Sequence, residues 1–406
     1  MADELTFDQL SRYTGEPVER LREWRSLGLI GRTSEYTLQD ADRVRLLQAC
    51  LRRGITAEAV ARANEKYGDL LDDYLRLVSP GGVQSRYSIA DAAELLGIDA
   101  ALLRRIVAAV GFIEGDRLRE HDIEALRSLA SVITMFPEDA VIEGVKVYAD
   151  SLARVAEMET RLYHFYVHGN LKTQGLTGTE LMKASRELGD KAKTVIEPAI
   201  LFFHQLGWER AQLDDLVLHM AEEAGLLPEL DTPGELLLAV SFVDLSSFTP
   251  LTDAMGDAAA AEVLNRFSEF VRHAAGTFSG RVVKQIGDAF MLVFAEPRSA
   301  LACALEIESQ ASQESQFPAV RAGIHWGTAL YREGDYVGSN VNIASRLCTE
   351  AGRHQILVTD EVRKAARDLP EIEFVRLGKR KLKGLAEGIV LFEARARSGV
   401  GTKKHI

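Results

Sequence analysis

The chain has 406 residues and a formal net charge of -12 at pH 7, so two or three domains with sizeable cores are expected and dominance by phosphate-backbone binding is disfavoured. Its three cysteines, Cys50, Cys303 and Cys348, stand far apart without CxxC or CxxH spacing, which argues against a disulfide framework or a zinc motif. No run approaches the ~18 consecutive apolar residues of a membrane span, and the opening MADELTFDQL is acidic without an apolar h-region; a soluble, cytoplasmic chain with no transmembrane segment is expected.

From Leu5 to about Leu226, apolar residues recur at helical spacing, so an all-α region is expected. Two segments of it resemble each other: LTFDQLSRYTGEPVERLREWRSLGLIGR from Leu5 and YSIADAAELLGIDAALLRRIVAAVGFIEGD from Tyr87. Each runs helix, glycine (Gly15 or Gly97), helix, then a Gly-apolar-Ile turn at Gly28 or Gly111, and continues into a helix beginning near Asp40 or Asp122. The repetition implies a duplicated helix-turn-helix unit.

The first copy, with RLREWRSLGLI followed by a wing-like GRTSEYTLQDADR, resembles the DNA-binding head of MerR-type regulators. In such a head the second helix enters the major groove, which would make Arg20, Arg22 and Arg25 the contact residues. The same arginines alternate with Glu19 and Glu23 as ordinary helix-surface pairs do. DNA contact and regulatory packing both stay open, with packing the expected role.

From about Ile133 to Gly225 the helices carry His164, His168, His204 and His219. His164 and His168 are spaced i, i+4 and share a face. That spacing suits a metal, but no carboxylate or cysteine motif accompanies it. Proton sensing and ordinary amphipathic placement are the other two explanations. Two prolines and a glycine in LLPELDTPGE then break the helical pattern, placing a linker at 227–234.

A separate domain is expected from Glu235 to about Arg397, alternating strands and helices. ELLLAVSFVDL has the apolar density of a central strand, and AAEVLNRFSEFVRHAA reads as an amphipathic helix. GRVVKQIGDAFMLVFA reads as a hairpin turning at Gly287 and Asp288. PRSALACALEIESQ is expected as helix, VRAGIHWGTALYR as strand and YVGSNVNIASRLCTEA as helix. Within KQIGD, Lys284 and Asp288 stand four residues apart, and Asp244 lies upstream in an apolar strand. Two carboxylates at strand ends need a positive partner, and holding Mg²⁺ against a nucleotide's phosphates is a common use of such a pair.

FVDLSSFT, KQIGDAFM, RAGIHWG and DYVGSNVNIASRL together resemble the class III nucleotidyl cyclase catalytic domain, over nearly all of Leu236 to Ala394. The ordered spacing of Asp335, Asn342 and Arg346 makes the resemblance specific. It implies an α+β fold: a ferredoxin-like α/β catalytic domain preceded by an all-α regulatory domain containing helix-turn-helix units. It implies that Asp244 and Asp288 bind two metal ions per site, Mg²⁺ or Mn²⁺, and that Lys284 and Asp335 read the base. A lysine donating to adenine N1 and an aspartate accepting from its amino group select ATP; guanine-specific relatives typically carry glutamate and cysteine there. Asn342 would orient the ribose and Arg346 would stabilise charge on the α-phosphate. Lys383, with Lys381 as competitor, is the candidate for the triphosphate, although such a charge run is usually a solvated turn between edge strands. The family builds its site between two catalytic domains, so a head-to-tail homodimer is implied.

The segment from about Val44 to Gly225 resembles the regulatory domain of actinobacterial pH-sensing adenylyl cyclases. This implies an autoinhibitory module with acid activation, and a lipid or fatty-acid ligand among its apolar helices. The expected organisation is a MerR-like part at 1–80, a helical regulatory domain at 81–226 and a catalytic domain at 235–397. The expected activity is conversion of ATP to 3′,5′-cyclic AMP and pyrophosphate. The alternative is a nucleotide-binding transcriptional or interaction regulator.

Overall fold

Capping side chains and left-handed glycines punctuate the helices of the amino-terminal half. In a computed structural model of the protein, residues 5–31, 35–78, 85–112, 117–133, 135–225, 228, 230, 232–246, 248–383 and 387–397 are described. The chain divides into two units, Met1–Trp208 and Glu209–Ile406. The first runs α1 (Phe7–Thr14), α2 (Val18–Ser26), α3 (Leu38–Arg52), α4 (Ala57–Tyr67), α5 (Leu70–Val78), β1 (Ser85–Tyr87), α6 (Ile89–Leu96) and α7 (Ala100–Ala109). It continues with β2 (Leu118–Arg119), α8 (Glu120–Ile133), α9 (Glu138–Leu162), a π-helical turn (Tyr163–His168), α10 (Gly169–Thr173) and α11 (Gly178–Glu223).

The two similar segments fold alike. Thr6 opens α1 and Ser88 opens α6, each in a capping box with the residue three on, Gln9 or Asp91. Gly15 and Gly97 end those helices in the left-handed conformation that a Cβ disfavours. Each copy has its own core: Leu10, Leu21, Trp24, Ile30 and Val44 in the first, Ala92, Leu103, Val107, Leu118 and Ile123 in the second. The second copy adds a short antiparallel ribbon of β1 and β2. The wing is shorter than its sequence implied. Thr37 and Asp40 close a capping box that starts α3 at Leu38, so TLQDADR is cap and helix; Leu5 pairs with Tyr36 across the base of the wing, and Arg32 to Ser34 lie outside the described residues. The division between units falls inside α11, upstream of the expected linker, of which residues 227, 229 and 231 lie outside the described residues.

The second unit runs β3 (Glu235–Leu245), α12 (Phe248–Met255), α13 (Asp257–Thr277), β4 (Arg281–Ile286), β5 (Ala289–Phe294), α14 (Pro297–Gln313), β6 (Val320–Arg332) and β7 (Asp335–Val337). α15 (Ser339–Glu350), β8 (Ile356–Thr359), α16 (Asp360–Ala365), β9 (Ile372–Arg380) and β10 (Ile389–Ala396) complete it. The sheet order is β4-β5-β3-β6-β8-β10-β9, with β7 paired to β6. β6 and β8 are parallel, and the other pairs are antiparallel.

β3 is central and covered on both faces, which is why it reads as a nearly continuous apolar run. Ala239, Val243 and Leu245 join Phe267, Val271, Leu301 and Ile307 of α13 and α14 in one core. Leu238, Val240 and Phe242 point the other way, toward Val341, Ala344 and Cys348 of α15. α15 seats at backbone distance because Gly323 has no side chain; a Cβ there would lie 2.1 Å from Cys348 N. Tyr336 and Val337, expected at the start of this helix, instead form β7, and the helix begins at Ser339 after Gly338. Among the described residues no helix is long and apolar enough to cross a membrane.

Candidate active site

The metal candidates meet at one end of the central strands. Asp244 is the penultimate residue of β3, paired in register with Ala289 of β5 on one side and Arg321 of β6 on the other. Asp288 occupies the β4–β5 turn after Gly287, whose φ of 62° suits a tight hairpin. Register therefore brings the two carboxylates together. Burial, and secondly the charge of Asp244, push the Asp288 carboxyl above its ordinary range.

Arg321 answers part of this negative charge. Its Nε donates to Asp244 Oδ2 at 2.9 Å, and its Nη2 donates to the same oxygen. The other oxygen, Asp244 Oδ1, is buried without a hydrogen-bond partner. Leaving such an atom unpaired costs about 1–3 kcal/mol, and more when it is charged. The donor set therefore fits a divalent cation: two hard oxygen donors, one with an open lone pair, beside a carboxyl whose ionisation is disfavoured until positive charge arrives. Among the described residues no group of three or more metal-ligating side chains forms.

Lys284 and Asp335 form the second pair. Lys284 lies on β4 just past a bulge at Val282–Lys284. Glu333 and Gly334 both have positive φ, making the two-residue turn between β6 and β7 that sets Asp335 at the start of its strand. Lys284 Nζ donates to Asp335 Oδ2, while Tyr336 N donates to Oδ1 at 2.8 Å. The pair is about one-third exposed on each side, 38% and 33%. It is consequently weak as a stability element but open to a ligand.

Asn342 and Arg346 sit one turn apart on α15 and are exposed. Neither side chain makes a hydrogen bond or ion pair among the described residues. Lys381 and Lys383 are exposed in the connection from β9 to β10, beyond the strand end at Arg380. Among the described residues neither lysine makes a hydrogen bond or ion pair to the other candidates, and residues 384–386 lie outside the described residues.

Two features escaped sequence reasoning. Arg321 opens the quoted segment RAGIHWG, but its pairing with Asp244 follows from the β3–β6 register, which local pattern does not fix. His325 on β6, Thr359 at the end of β8 and Asn340 in the first turn of α15 form a largely buried polar chain; their separation along the sequence hid it.

In the helical unit, the His164 and His168 rings stack with centroids 5.4 Å apart inside the π-helical turn. His168 Nδ1 lies 3.1 Å from Ser185 Oγ of α11, and burial lowers its pKa. His204 lies 3.3 Å from the Tyr148 hydroxyl, and His219 is exposed. Of the arginines considered for DNA, Arg20 is tied back to Glu16 at 2.8 Å and Arg25 faces the Tyr36 hydroxyl.

Residues 237–393 match the adenylate and guanylate cyclase catalytic domain, 36–206 the adenylate cyclase regulatory domain, and 5–66 the MerR helix-turn-helix regulatory family. The pH-sensitive adenylate cyclase MT1302 of Mycobacterium tuberculosis is 30% identical over 399 residues, covering 92% of this chain and 93% of the relative. An adenylate cyclase of Streptomyces coelicolor is 28% identical over 287 residues, covering 68% and 71% of the two chains. Among solved structures, the adenylyl cyclase CyaB from P. aeruginosa aligns with a TM-score of 0.37 at 21% identity, covering 41% of this chain and 98% of that one. The chain belongs to the adenylate cyclase family, joining a cyclase catalytic domain to an adenylate cyclase regulatory domain.

Proposed function

We propose that the protein converts ATP to 3′,5′-cyclic AMP and pyrophosphate at sites shared by two copies of the chain. The ribose 3′-oxygen bonds to the α-phosphorus as the α–β bridging bond breaks, releasing pyrophosphate and a proton. Asp244 and Asp288 would hold the divalent cations, Mg²⁺ or Mn²⁺. When bound, these ions activate the 3′-hydroxyl and neutralise the triphosphate.

The protein's own groups do the rest. Lys284 donates to adenine N1 and Asp335 accepts from the exocyclic amine, a pattern that guanine, with a donor at N1 and an acceptor at O6, does not match. Asn342 orients the ribose, and the Arg346 guanidinium meets charge developing on the α-phosphate. Lys383 is assigned to the triphosphate as a point charge. The observation that carries ATP as substrate is the direct ion pair between Lys284 and Asp335, which puts a donor and an acceptor side by side on an accessible edge.

Asn342 and Arg346 are exposed with no side-chain partner among the described residues, while Asp244 is paired with Arg321. This supports a head-to-tail homodimer in which α15 of one copy completes the metal side of the other. The organisation proposed is a MerR-like part at 1–80, a regulatory part at 81–226 and a catalytic part at 235–397, with DNA contact given no role. Acid control by the stacked pair His164 and His168 is part of the proposal: protonating both places like charges 5.4 Å apart, centroid to centroid, in the π-helical turn. Incubating the purified chain with ATP and Mg²⁺ or Mn²⁺ and resolving the products tests the activity. Cyclic AMP and pyrophosphate are expected, and their absence at every pH would overturn it.

A further inference from the structure

His325 lies on β6 and is 7% exposed, four residues along the strand from Arg321, which is paired with Asp244, and seven from Arg332, which is paired with Asp335. Its ring is bonded at both nitrogens. Nδ1 lies 2.9 Å from Thr359 Oγ1 at the end of β8, and Nε2 lies 3.0 Å from Asn340 Oδ1 in the first turn of α15. Asn340 is fixed in turn, because its Nδ2 donates to the Thr328 carbonyl at 2.8 Å. A carbonyl only accepts, so the amide of Asn340 has one allowed orientation and presents Oδ1 to the histidine. That orientation sets the tautomer: Nε2 carries the proton and donates, and Nδ1 accepts from the Thr359 hydroxyl.

The seat for Asn340 is built into the backbone. Gly327 passes so close that a Cβ there would lie 2.5 Å from Asn340 Nδ2. Further along α15, Gly323 lets the helix touch β6 at Ala344 and Cys348. The helix is thus held at two points: by polar bonds in its first turn and by backbone contact in its middle. Asn342 and Arg346 ride on the opposite, exposed face. A rotation of the helix about the Gly323 contact would swing both side chains together.

We propose that His325 is a positioning residue for the cyclisation step: as the neutral Nε2–H tautomer it locks Asn340, and through it sets the rotation of α15 that aims Asn342 and Arg346. This rests on the assignment of Asn342 and Arg346 to the reacting ATP. His325 touches no substrate atom in this scheme. Its effect should therefore fall on turnover rather than on nucleotide affinity, which the Lys284 and Asp335 edge supplies from other strands.

The test uses the full-length chain and compares His325→Asn with His325→Gln. The asparagine amide reaches only the Nδ1 position and loses Asn340, whereas the glutamine amide reaches the Nε2 position and donates to it. His325→Asn should lower kcat by about 10²-fold, the cost of a small misplacement of catalytic groups, with the KM for ATP within about twofold. His325→Gln should stay within about threefold of the unmodified enzyme. Equal losses in the two variants, or an unchanged kcat in His325→Asn, would overturn the proposal. If His325→Asn does not fold, Asn340→Ala cuts the same link from the helix side. A fall in kcat with KM retained supports the proposal, and unchanged turnover sinks it. Asn342→Ala and Arg346→Ala run alongside separate the two levels. If these cyclise ATP normally, the assignment of α15 falls and His325 with it; if they are impaired while the His325 and Asn340 variants are not, only the positioning role falls.

Discussion

Two regions of the catalytic unit treat their polar residues in opposite ways. Around β3, β4 and β7 the functional candidates are partnered inside one chain: Asp244 by Arg321, Lys284 by Asp335. On α15 the candidates Asn342 and Arg346 face solvent with no partner among the described residues. The difference follows from packing. Strand residues at a shared register meet across the sheet, whereas the outer face of α15 is presented away from it. The lone chain thus holds an Asp244 carboxylate already met by Arg321 and, on α15, two side chains without a partner among the described residues, in line with the proposed site in which the metal aspartates of one copy face the Lys284, Asp335, Asn342 and Arg346 of the other.

The largest expected effect is at the carboxylates. Asp244→Ala or Asp288→Ala should lower kcat by about 10³-fold or more, read as cyclic AMP formed at saturating ATP and Mn²⁺. The same Asp288 substitution should raise the Tm of the metal-free chain, because it removes a partly buried carboxyl that faces Asp244. A lowered Tm would break the view of that pair as strained without a cation. Next comes Arg346→Ala, expected to lower kcat by about 10²- to 10³-fold while leaving Tm unchanged, as an exposed, unpartnered side chain should. A comparable loss of stability would contradict its placement outside the packed structure.

At the base-reading pair a smaller, selective change is expected. Asp335→Ala should raise the KM for ATP and reduce the preference for ATP over GTP by roughly 10- to 100-fold, measured as the ratio of kcat/KM values. Unaltered selectivity would remove the pair from base recognition.

The smallest effect is on stability against pH. Burial lowers the His325 pKa, with Glu361 and the bond to Asn340 opposing that shift. The unfolded chain then binds this proton before the folded one does. Stability is full above the ordinary histidine pKa of about 6.5 and is lost as pH falls through it toward the folded value, by at most about 1.4 kcal/mol per pH unit. Tm measured between neutral and mildly acid pH should fall less steeply in His325→Gln than in the unmodified chain.

Much of the catalytic unit was legible in the sequence because its strands carry strong local patterns. VRAGIHWGTALYR and ELLLAVSFVDL correspond to β6 and β3, and KQIGDAF turns at Gly287 and Asp288 as its glycine implied. Non-local pairing was less legible. Lys284 and Asp288 look like one motif in KQIGD, but the hairpin separates their tasks: Lys284 reaches Asp335 on β7, and Asp288 meets Asp244 on β3. Arg321 stood in view without a role because only the β3–β6 register brings it to Asp244. The start of α15 was misjudged because Tyr336 and Val337 pair with β6, a tertiary constraint that overrides helical spacing. In the helical half, repeated glycines and caps revealed the duplicated unit, whereas the stacking of His164 on His168 depends on a π-helical turn that i, i+4 counting does not anticipate.

Sharing of the site between two chains is tested most directly by complementation. Asp244→Ala spoils the half-site that should need the partner's α15, and Arg346→Ala spoils the other half. Mixed in equal amounts, the two inactive chains should form cyclic AMP at up to about a quarter of the unmodified rate, since half of random dimers are mixed and each has one intact site. Activity no higher than that of the separate variants, in a mixture where differently tagged chains co-purify, would contradict a site built from two copies.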